Sequence, residues 1–219
     1  MLKNEAMWLG RQLAHIPPNQ LSPAINLGSG SARFRAAKQP QIGEHLLSPL
    51  AERGVDVVHS DLRQEAGVDI AGDIYAETTQ ERLRQVNAKA LFCFNILEHL
   101  QDRQGFISVC MSLLSDNGII GVSVPYSFPF HADPIDTMFR PSPTELAALF
   151  PGCTVIAQEV VECESFGDQL LASPSKAGAW LLKLIVPYSG TTHWRSAVDR
   201  ARWLWRPYTV TCMILRTRK

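Results

Sequence analysis

Short apolar runs alternate along the chain with mixed segments of helical spacing. The runs are rich in β-branched residues and bounded by glycine or polar residues, as is typical of strands. ALFCFNI at 90–96 is an apolar run apart from Asn95, which favours a strand buried on both faces. The pattern predicts seven strands: a short one that opens PAINLGSG at 23–30, and others at 54–61, 67–74, 90–96, 118–126, 153–162 and 208–216.

The segments between these runs predict helices at 45–54, 78–88, 102–118 and 142–150. Gly54 and Gly118 have the positions of residues that end a helix, and Ser142 with Glu145 has the spacing of a capping box. Strands that alternate with helices favour a mainly parallel α/β sheet with helices on both faces. The last run alternates apolar and polar residues and is compatible with an antiparallel edge strand or an insertion.

The first strand opens into a glycine loop, Gly28-Ser29-Gly30. In an open α/β sheet, ligands bind outside the carboxyl ends of the strands, where this loop falls. Glycines without Cβ atoms let main-chain N–H groups approach a ligand closely. The loop predicts a cofactor-binding turn, and an ordinary strand-to-helix turn is the alternative.

Acidic residues end the next two strands. Asp61 ends VDVVHSD, where a carboxylate can accept both ribose hydroxyls, and Asp73 could accept from an adenine amino group while Ile74 packs on the ring. A dinucleotide fingerprint needs a third glycine where this chain has Arg33, and the sequence contains no G-x-x-x-x-G-K-[ST] motif. These features argue against a nicotinamide site and a P-loop.

The order INLGSG, VVHSDL, GVDIAGDI, ALFCFNILEHL and GIIGVSVPYSFPFHADPIDTMFRPSPTELAALF resembles class I S-adenosylmethionine-dependent methyltransferases, specifically the small type-11 group. The resemblance covers about residues 22–165 and includes L-E-H after the fourth strand. It implies a Rossmann-like α/β fold with a seven-stranded, mainly parallel sheet, helices on both faces and an antiparallel last strand.

The resemblance also implies S-adenosylmethionine as the cofactor. Gly28, Ser29 and Gly30 would hold its methionine part, and Asn95 would face the reacting methyl group. Asn26 stands where many members of the family have an acidic residue. The full set of implied cofactor-binding residues is Asn26, Gly28, Ser29, Gly30, Asp61, Leu62, Asp73, Ile74 and Asn95.

Two histidines follow the fourth and fifth strands, at the same edge as the glycine loop. His99 and His131 are the candidate catalytic residues, because an imidazole can take a proton from an acceptor near neutral pH. A structural role is the alternative for each. We expect no metal site: Glu98, His99 and His131 are similar to an E-x-x-E-H ligand set, but Asn95 replaces its first glutamate.

The proline-rich loop that contains His131 suits the wall of a substrate pocket. It also contains Asp133, Asp136 and Arg140, and a structural ion pair between the last two is an equally good interpretation.

Residues 166–207 are predicted to form a helical insert between the last two strands. Residues 174–219 contain nine Lys/Arg and one acid, a net charge of +8, which residues 1–173 balance with −8. A helical face that packs on the sheet and leaves a solvated basic face is one interpretation. The other is a cap over the acceptor pocket, or peripheral contact of 176–206 with an anionic acceptor or membrane headgroups. The predicted apolar face consists of Trp194, Ala197, Val198, Ala201 and Leu204 or Trp205.

Composition narrows the class of protein. The chain has 219 residues, 46% of them hydrophobic and 19% charged, which suits one globular domain over 1–219. The five cysteines form no C-x-x-C pair and are expected to be reduced, buried thiols. The polar N-terminus does not resemble a signal peptide, so we expect a cytoplasmic protein.

The function expected from these features is methyl transfer to a small-molecule or glycan-type acceptor, at a hydroxyl oxygen. An NAD(P)-dependent oxidoreductase and a non-catalytic, partner-binding scaffold with this fold are the alternatives. We expect no nucleic-acid partner, because no binding module accompanies the basic charge. The oligomeric state does not follow from the sequence.

Overall fold

The computed structural model describes residues 1–131, 135–185 and 198–218. Its sheet has seven strands, in the order β3-β2-β1-β4-β5-β7-β6. The strands are β1 (Ala24–Leu27), β2 (Val57–Asp61), β3 (Ile70–Ala71), β4 (Ala88–Phe94), β5 (Leu114–Ser127), β6 (Cys153–Ser165) and β7 (Pro207–Thr217).

Strand direction follows the predicted pattern. β1 pairs in parallel with β2 and β4, β2 with β3, and β4 with β5. The last strand, β7, lies antiparallel to both β5 and β6. The predicted fold class, a Rossmann-like and mainly parallel sheet with an antiparallel last strand, is therefore confirmed. The strand order reverses between β1 and β4, so a crevice opens beyond their carboxyl ends.

Eight α-helices are described. They are α1 (Lys3–Ala14), α2 (Pro40–Ile42), α3 (Ser48–Glu52), α4 (Glu77–Arg84), α5 (Arg103–Leu113), α6 (Pro143–Ala148), α7 (Phe166–Leu171) and α8 (Pro174–Ile185). Two π-helical segments, Phe34–Lys38 and Gly43–Leu47, connect β1 to α3. The capping box predicted at Ser142 and Glu145 is present at the start of α6.

Helices cover both faces of the sheet. On one face Phe106 and Cys110 of α5 pack against β4 and β5, together with Leu83 and Leu146. On the other face Trp8, Leu9 and Leu13 of α1 pack with Leu46 and with residues of β6 and β7. The sequence pattern did not predict a helix over residues 3–14, although α1 supplies much of the core on this second face of the sheet. All five cysteines are free, as predicted.

Two predicted elements are markedly shorter in the structure. The helix predicted over 102–118 ends at Leu113, because Leu114 already pairs with Ala88 as part of β5. Gly118 therefore lies inside β5, just after Asn117, which adopts a left-handed conformation. The strand predicted over 67–74 is only Ile70–Ala71, because Gly67 and Gly72 have positive φ angles of 80° and 148° that interrupt extended pairing. Strand pairing and turn residues with positive φ angles set these limits.

Residues between β6 and β7 include α7, α8 and a turn at 202–206. Trp194 and Ala197 of the predicted apolar face lie outside the described residues. Residues 198–201 are helical, and of the predicted apolar face Val198 is 39% exposed, Leu204 is half-buried and Trp205 is 87% exposed. Of the helices that the structure describes, none is long and apolar enough to cross a membrane.

Candidate functional site

The glycine loop lies at the carboxyl end of β1. Gly28 and Gly30 have φ angles of 60° and 62°, a left-handed conformation that side chains rarely adopt. The N–H of Ser29 donates to Ser60 O of β2, at 3.1 Å. A Cβ at Gly30 would lie 2.7 Å from Cδ1 of Phe34, so the ring closes over this glycine. The loop is therefore fixed by its own conformation and by its neighbours.

Two charged side chains hold the loop in place. Asp61 Oδ2 accepts from the N–H of Gly30 at 2.8 Å. The buried guanidinium of Arg35 donates to the carbonyl oxygens of Ser29, Gly30 and Gly67, at 3.2, 2.5 and 2.8 Å. Burial lowers the pKa of Arg35, against the charges of Asp69 and Asp61 that raise it. The sequence did not indicate Arg35, because its role depends on a contact with the carbonyl of Gly67, 32 residues further along the chain.

Asn26 of β1 faces His59 of β2. Burial, with the charge of Arg35 adding to it, lowers the pKa of His59 to about 4, so this imidazole is neutral at pH 7. The Asn26 amide lies with Nδ2 3.3 Å from His59 Nδ1 and can donate to it. Asn26 is thus a neutral residue with part of its hydrogen-bonding capacity used.

A cavity of about 500 Å³ opens next to this loop, a size typical of small-molecule sites. It brings together residues from β1, the turn after β4, the segment after β5 and helix α1. Its lining includes six of the predicted site residues: Asn26, Gly28, Ser29, Asn95, His99 and His131.

The other five predicted cofactor-binding residues lie outside the described lining. Gly30 and Asp61 adjoin it through the loop, whereas the side chain of Leu62 is 69% exposed. Asp73 Oδ1 accepts from the N–H of Tyr75 at 3.0 Å, and Ile74 is half-buried against the core. Gly30 follows β1, Asp61 and Leu62 lie at the end of β2, and Asp73 and Ile74 follow β3, all at the same edge of the sheet.

Glu98, His99 and His131 come together in the cavity. One ligand atom from each lies within 4.8 Å of the others. The Glu98 carboxyl is 1% exposed, and burial is the main cause that raises its pKa to about 8. Among the described residues its Oε2 has no hydrogen-bond partner. His99 Nδ1 lies 2.5 Å from Ile135 O, which fixes the proton on Nδ1 and leaves Nε2, 3.8 Å from Glu98 Oε1, as the acceptor.

His131 adjoins an ion pair. Arg140 donates to both oxygens of Asp136, at 2.6 and 3.1 Å, so the predicted structural pair exists. Burial acts to raise the pKa of Asp136, but hydrogen bonds from Arg140, Met138 and His131 lower it overall. His131 Nδ1 lies 3.1 Å from Asp136 Oδ2, without the alignment of a hydrogen bond. Burial lowers the pKa of His131, so the imidazole can accept a proton at neutral pH. Asp133 lies outside the described residues.

Glu5 of α1 is the site residue that sequence reasoning missed. It is 1% exposed and lines the cavity. Its Oε1 accepts from Asn95 Nδ2 at 2.7 Å and from Ser123 Oγ at 2.6 Å, and its Oε2 accepts from the N–H of Leu2 at 2.8 Å. The only signal in the sequence was an acid on a helix with apolar residues at Ala6, Leu9 and Leu13.

The residues present fit a cationic ligand. Two buried carboxyl groups, Glu5 and Glu98, face one cavity, and within the described part of the chain neither pairs with a lysine or arginine. Burying a carboxylate without an opposite charge is costly, and burial raises the pKa of Glu98 to about 8 for this reason, so a positive group is the ligand chemistry that would relieve the cost. S-adenosylmethionine has a sulfonium and an ammonium group.

Solved structures share this architecture. A SAM-dependent methyltransferase from Geobacter sulfurreducens, solved with S-adenosyl-L-homocysteine, matches with a TM-score of 0.55 and 19% identity, over 98% of this chain and 90% of that one. Coclaurine N-methyltransferase, bound to N-methylheliamine and SAH, matches with a TM-score of 0.54 and 12% identity, over 96% and 71%.

The chain has the class I methyltransferase fold. The cyclase SpnF has this fold too, with a TM-score of 0.51, 14% identity and coverage of 96% and 80%. The methyltransferase fold therefore does not by itself define the reaction. No protein-family model and no curated protein matches the sequence.

Proposed function

We propose that the protein transfers a methyl group from S-adenosylmethionine to a hydroxyl oxygen of a small-molecule or glycan-type acceptor. The observation that carries this proposal is the cavity at the switch point between β1 and β4. It unites the Gly28–Ser29 loop with two buried carboxyl groups and with the imidazole of His131. The type-11 subgroup stays a prediction from the NILEHL segment.

The cofactor residues are proposed from their positions. Main-chain groups of Gly28 and Ser29 and the side chain of Asn95 would hold the methionine part. Asp61 Oδ2 accepts from Gly30, and Oδ1 accepts a long hydrogen bond of 3.4 Å from the N–H of Arg63, so the remaining lone pair of Oδ1 would accept from a ribose hydroxyl. Asp73 with Ile74 would contact adenine. When bound, the cofactor supplies a methyl group on a sulfonium, which is open to direct displacement by an acceptor oxygen.

His131 is the proposed general base. Its neutral imidazole can take the acceptor's hydroxyl proton at Nε2, and the ionised Asp136 stabilises the imidazolium that results. Arg140 keeps Asp136 ionised through its two hydrogen bonds. His99 lies 5.2 Å away, ring centre to ring centre, and is proposed to orient the acceptor. Arg200 also lines the cavity and could meet an anionic group of the acceptor.

Calorimetric titration with S-adenosylhomocysteine and, separately, with NAD tests the cofactor. We expect binding of the first alone, weakened about tenfold or more in Asp61→Ala, because a carboxylate that accepts hydrogen bonds contributes about 1.5–3 kcal/mol. Asp116→Ala is the matched control, since Asp116 is exposed near the amino end of β5. Binding of NAD alone would indicate an oxidoreductase, and binding of neither would indicate a scaffold.

Release of S-adenosylhomocysteine in the presence of hydroxyl-bearing small molecules and oligosaccharides tests the reaction. His131→Asn should lower turnover about 10²–10⁴-fold and remove the acidic limb of the pH profile, because a general base contributes that much. Cofactor affinity should stay unchanged. Treatment with EDTA should leave turnover unchanged; a loss restored by a divalent ion would instead assign Glu98, His99 and His131 to a metal.

Peripheral contact of residues 176–206 with an anionic membrane is also proposed. Trp205 is 87% exposed and Leu181 and Leu182 are each more than half exposed, and Arg200, Arg202 and Arg206 of the same segment are exposed as well. Apolar side chains with flanking arginines are typical of interfacial binding. Co-sedimentation with phosphatidylglycerol vesicles, lost at high salt and weakened in Trp205→Ala, would support the contact. Equal co-sedimentation with neutral vesicles would contradict it.

A further inference from the structure

Helix α1 places a carboxyl group where β1 has none. In the family that the sequence resembles, many members have an acid at the position of Asn26, and Asn26 is neutral and hydrogen-bonded towards His59. Glu5 lines the same cavity as Asn26, Gly28 and Ser29. A second element of the fold therefore presents a carboxyl group to the proposed methionine end of the site.

The hydrogen bonds of Glu5 fix its position but leave its charge uncompensated. All three of its donors, Asn95, Ser123 and the main chain of Leu2, are neutral. Within residues 1–131, 135–185 and 198–218, no lysine, arginine or histidine lies at ion-pair distance from it. Two of the donors engage Oε1 and one engages Oε2, so Oε2 keeps a lone pair for a further donor.

From this arrangement we infer that Glu5 replaces the missing acid of β1 and binds the α-ammonium group of the cofactor. This inference rests on the proposed function. It also gives α1 a role in binding, because the helix that closes one side of the cavity then contributes the counter-charge of the ligand inside it. Glu5 holds Asn95 as well, so one carboxylate would position both the ammonium group of the cofactor and the side chain that follows β4.

Calorimetry with two ligands isolates this contact. The first ligand is S-adenosylhomocysteine, and the second is its deaminated analogue, which keeps the carboxylate and lacks only the ammonium group. The native protein should bind the first about tenfold to a hundredfold more tightly, the range of one charge-assisted hydrogen bond. Glu5→Gln should remove this preference by weakening the first ligand and leaving the second unchanged.

Two further variants separate charge from helix position. Glu159→Gln changes another carboxylate that holds α1, since Trp8 Nε1 donates to it at 2.6 Å and neither residue belongs to the cavity lining. This variant should keep the full preference for the ammonium group. Asn26→Asp in the Glu5→Gln background places an acid in β1 and should restore the preference for the ammonium group. A Glu5→Gln protein that had lost its fold or the docking of α1 would not be rescued by this second change.

The outcomes distinguish this inference from the proposed function. If the native protein binds both ligands equally, or Glu5→Gln weakens both equally, the assignment of Glu5 is wrong while the cofactor site stands. If Glu98→Gln, and not Glu5→Gln, removes the preference, Glu98 binds the ammonium group. If the native protein binds neither ligand, the proposed function and this inference both fail. A preference lost only in Glu5→Gln and regained with Asn26→Asp supports the inference.

Discussion

Replacing Glu98 with glutamine removes an ionisable group that the fold keeps protonated at neutral pH. The side chain is 1% exposed, and burial raises its pKa to about 8, whereas in the unfolded chain a glutamate has a pKa of about 4.3. Between these two values the unfolded chain releases the proton and the folded protein keeps it. The stability that Glu98 contributes is therefore fully present below about pH 4.3 and is lost as pH rises through about 8.

The size of the effect follows from the slope of this linkage, about 1.4 kcal/mol for each pH unit. Between pH 5.5 and pH 7.5 native stability should lose about 2–3 kcal/mol through Glu98 alone. Glu98→Gln cannot release a proton, so its stability relative to the native protein should rise by that amount over the same interval. The change is a sizeable fraction of the total stability of a domain, which is about 5–15 kcal/mol.

Urea unfolding at pH 5.5, 6.5 and 7.5, followed by circular dichroism, measures the difference between the two proteins. Glu52→Gln is the matched control, because Glu52 is an exposed carboxylate at the end of α3. Its stability should run parallel to that of the native protein at all three pH values. A constant difference between Glu98→Gln and the native protein would refute the reasoning, since it would mean that Glu98 ionises normally in the fold.

Three further changes test the scaffold of the site. Arg35→Met removes a donor from three carbonyl oxygens, of which Gly30 O keeps the Ser29 hydroxyl as a donor. It should lower the free energy of unfolding by about 2–4 kcal/mol and weaken S-adenosylhomocysteine binding; unchanged values in urea unfolding and calorimetry would contradict the clamp. Gly10→Ala places a Cβ against the carbonyl oxygen of His45, so α1 must move, and the free energy of unfolding should fall by about 1–3 kcal/mol in thermal unfolding. Gly178→Ala is the control, because a Cβ at Gly178 would meet no atom within 4 Å. Ser142→Ala removes the cap of α6 and should cost about 1 kcal/mol in the same assay, whereas Ser142→Asp should keep most of it.

The sheet could be predicted from sequence because its strands are local. Each strand is a short apolar run, and the parallel order follows from the helices between the runs. The positions of His99 and His131 could be predicted in the same way, since they follow neighbouring strands whose carboxyl ends share an edge. Their rings lie 5.2 Å apart.

Contacts between distant segments could not be predicted. Glu5 meets Asn95 and Ser123 across 90 and 118 residues, through the packing of a helix that no local signal connects to the cavity. Arg35 is similar, because its role depends on the carbonyl of Gly67. Charged residues on amphipathic segments look solvated in a sequence, and only the tertiary structure shows which of them are buried.

The central claim is that the cavity between β1 and β4 holds S-adenosylmethionine. A crystal structure of the protein with S-adenosylhomocysteine tests it most directly. We predict density for the ligand in the cavity lined by Gly28, Ser29 and Asn95, with its ribose at Asp61 and its ammonium group at Glu5. Density for the ligand at another place, or an empty cavity at saturating ligand concentration, would contradict the account.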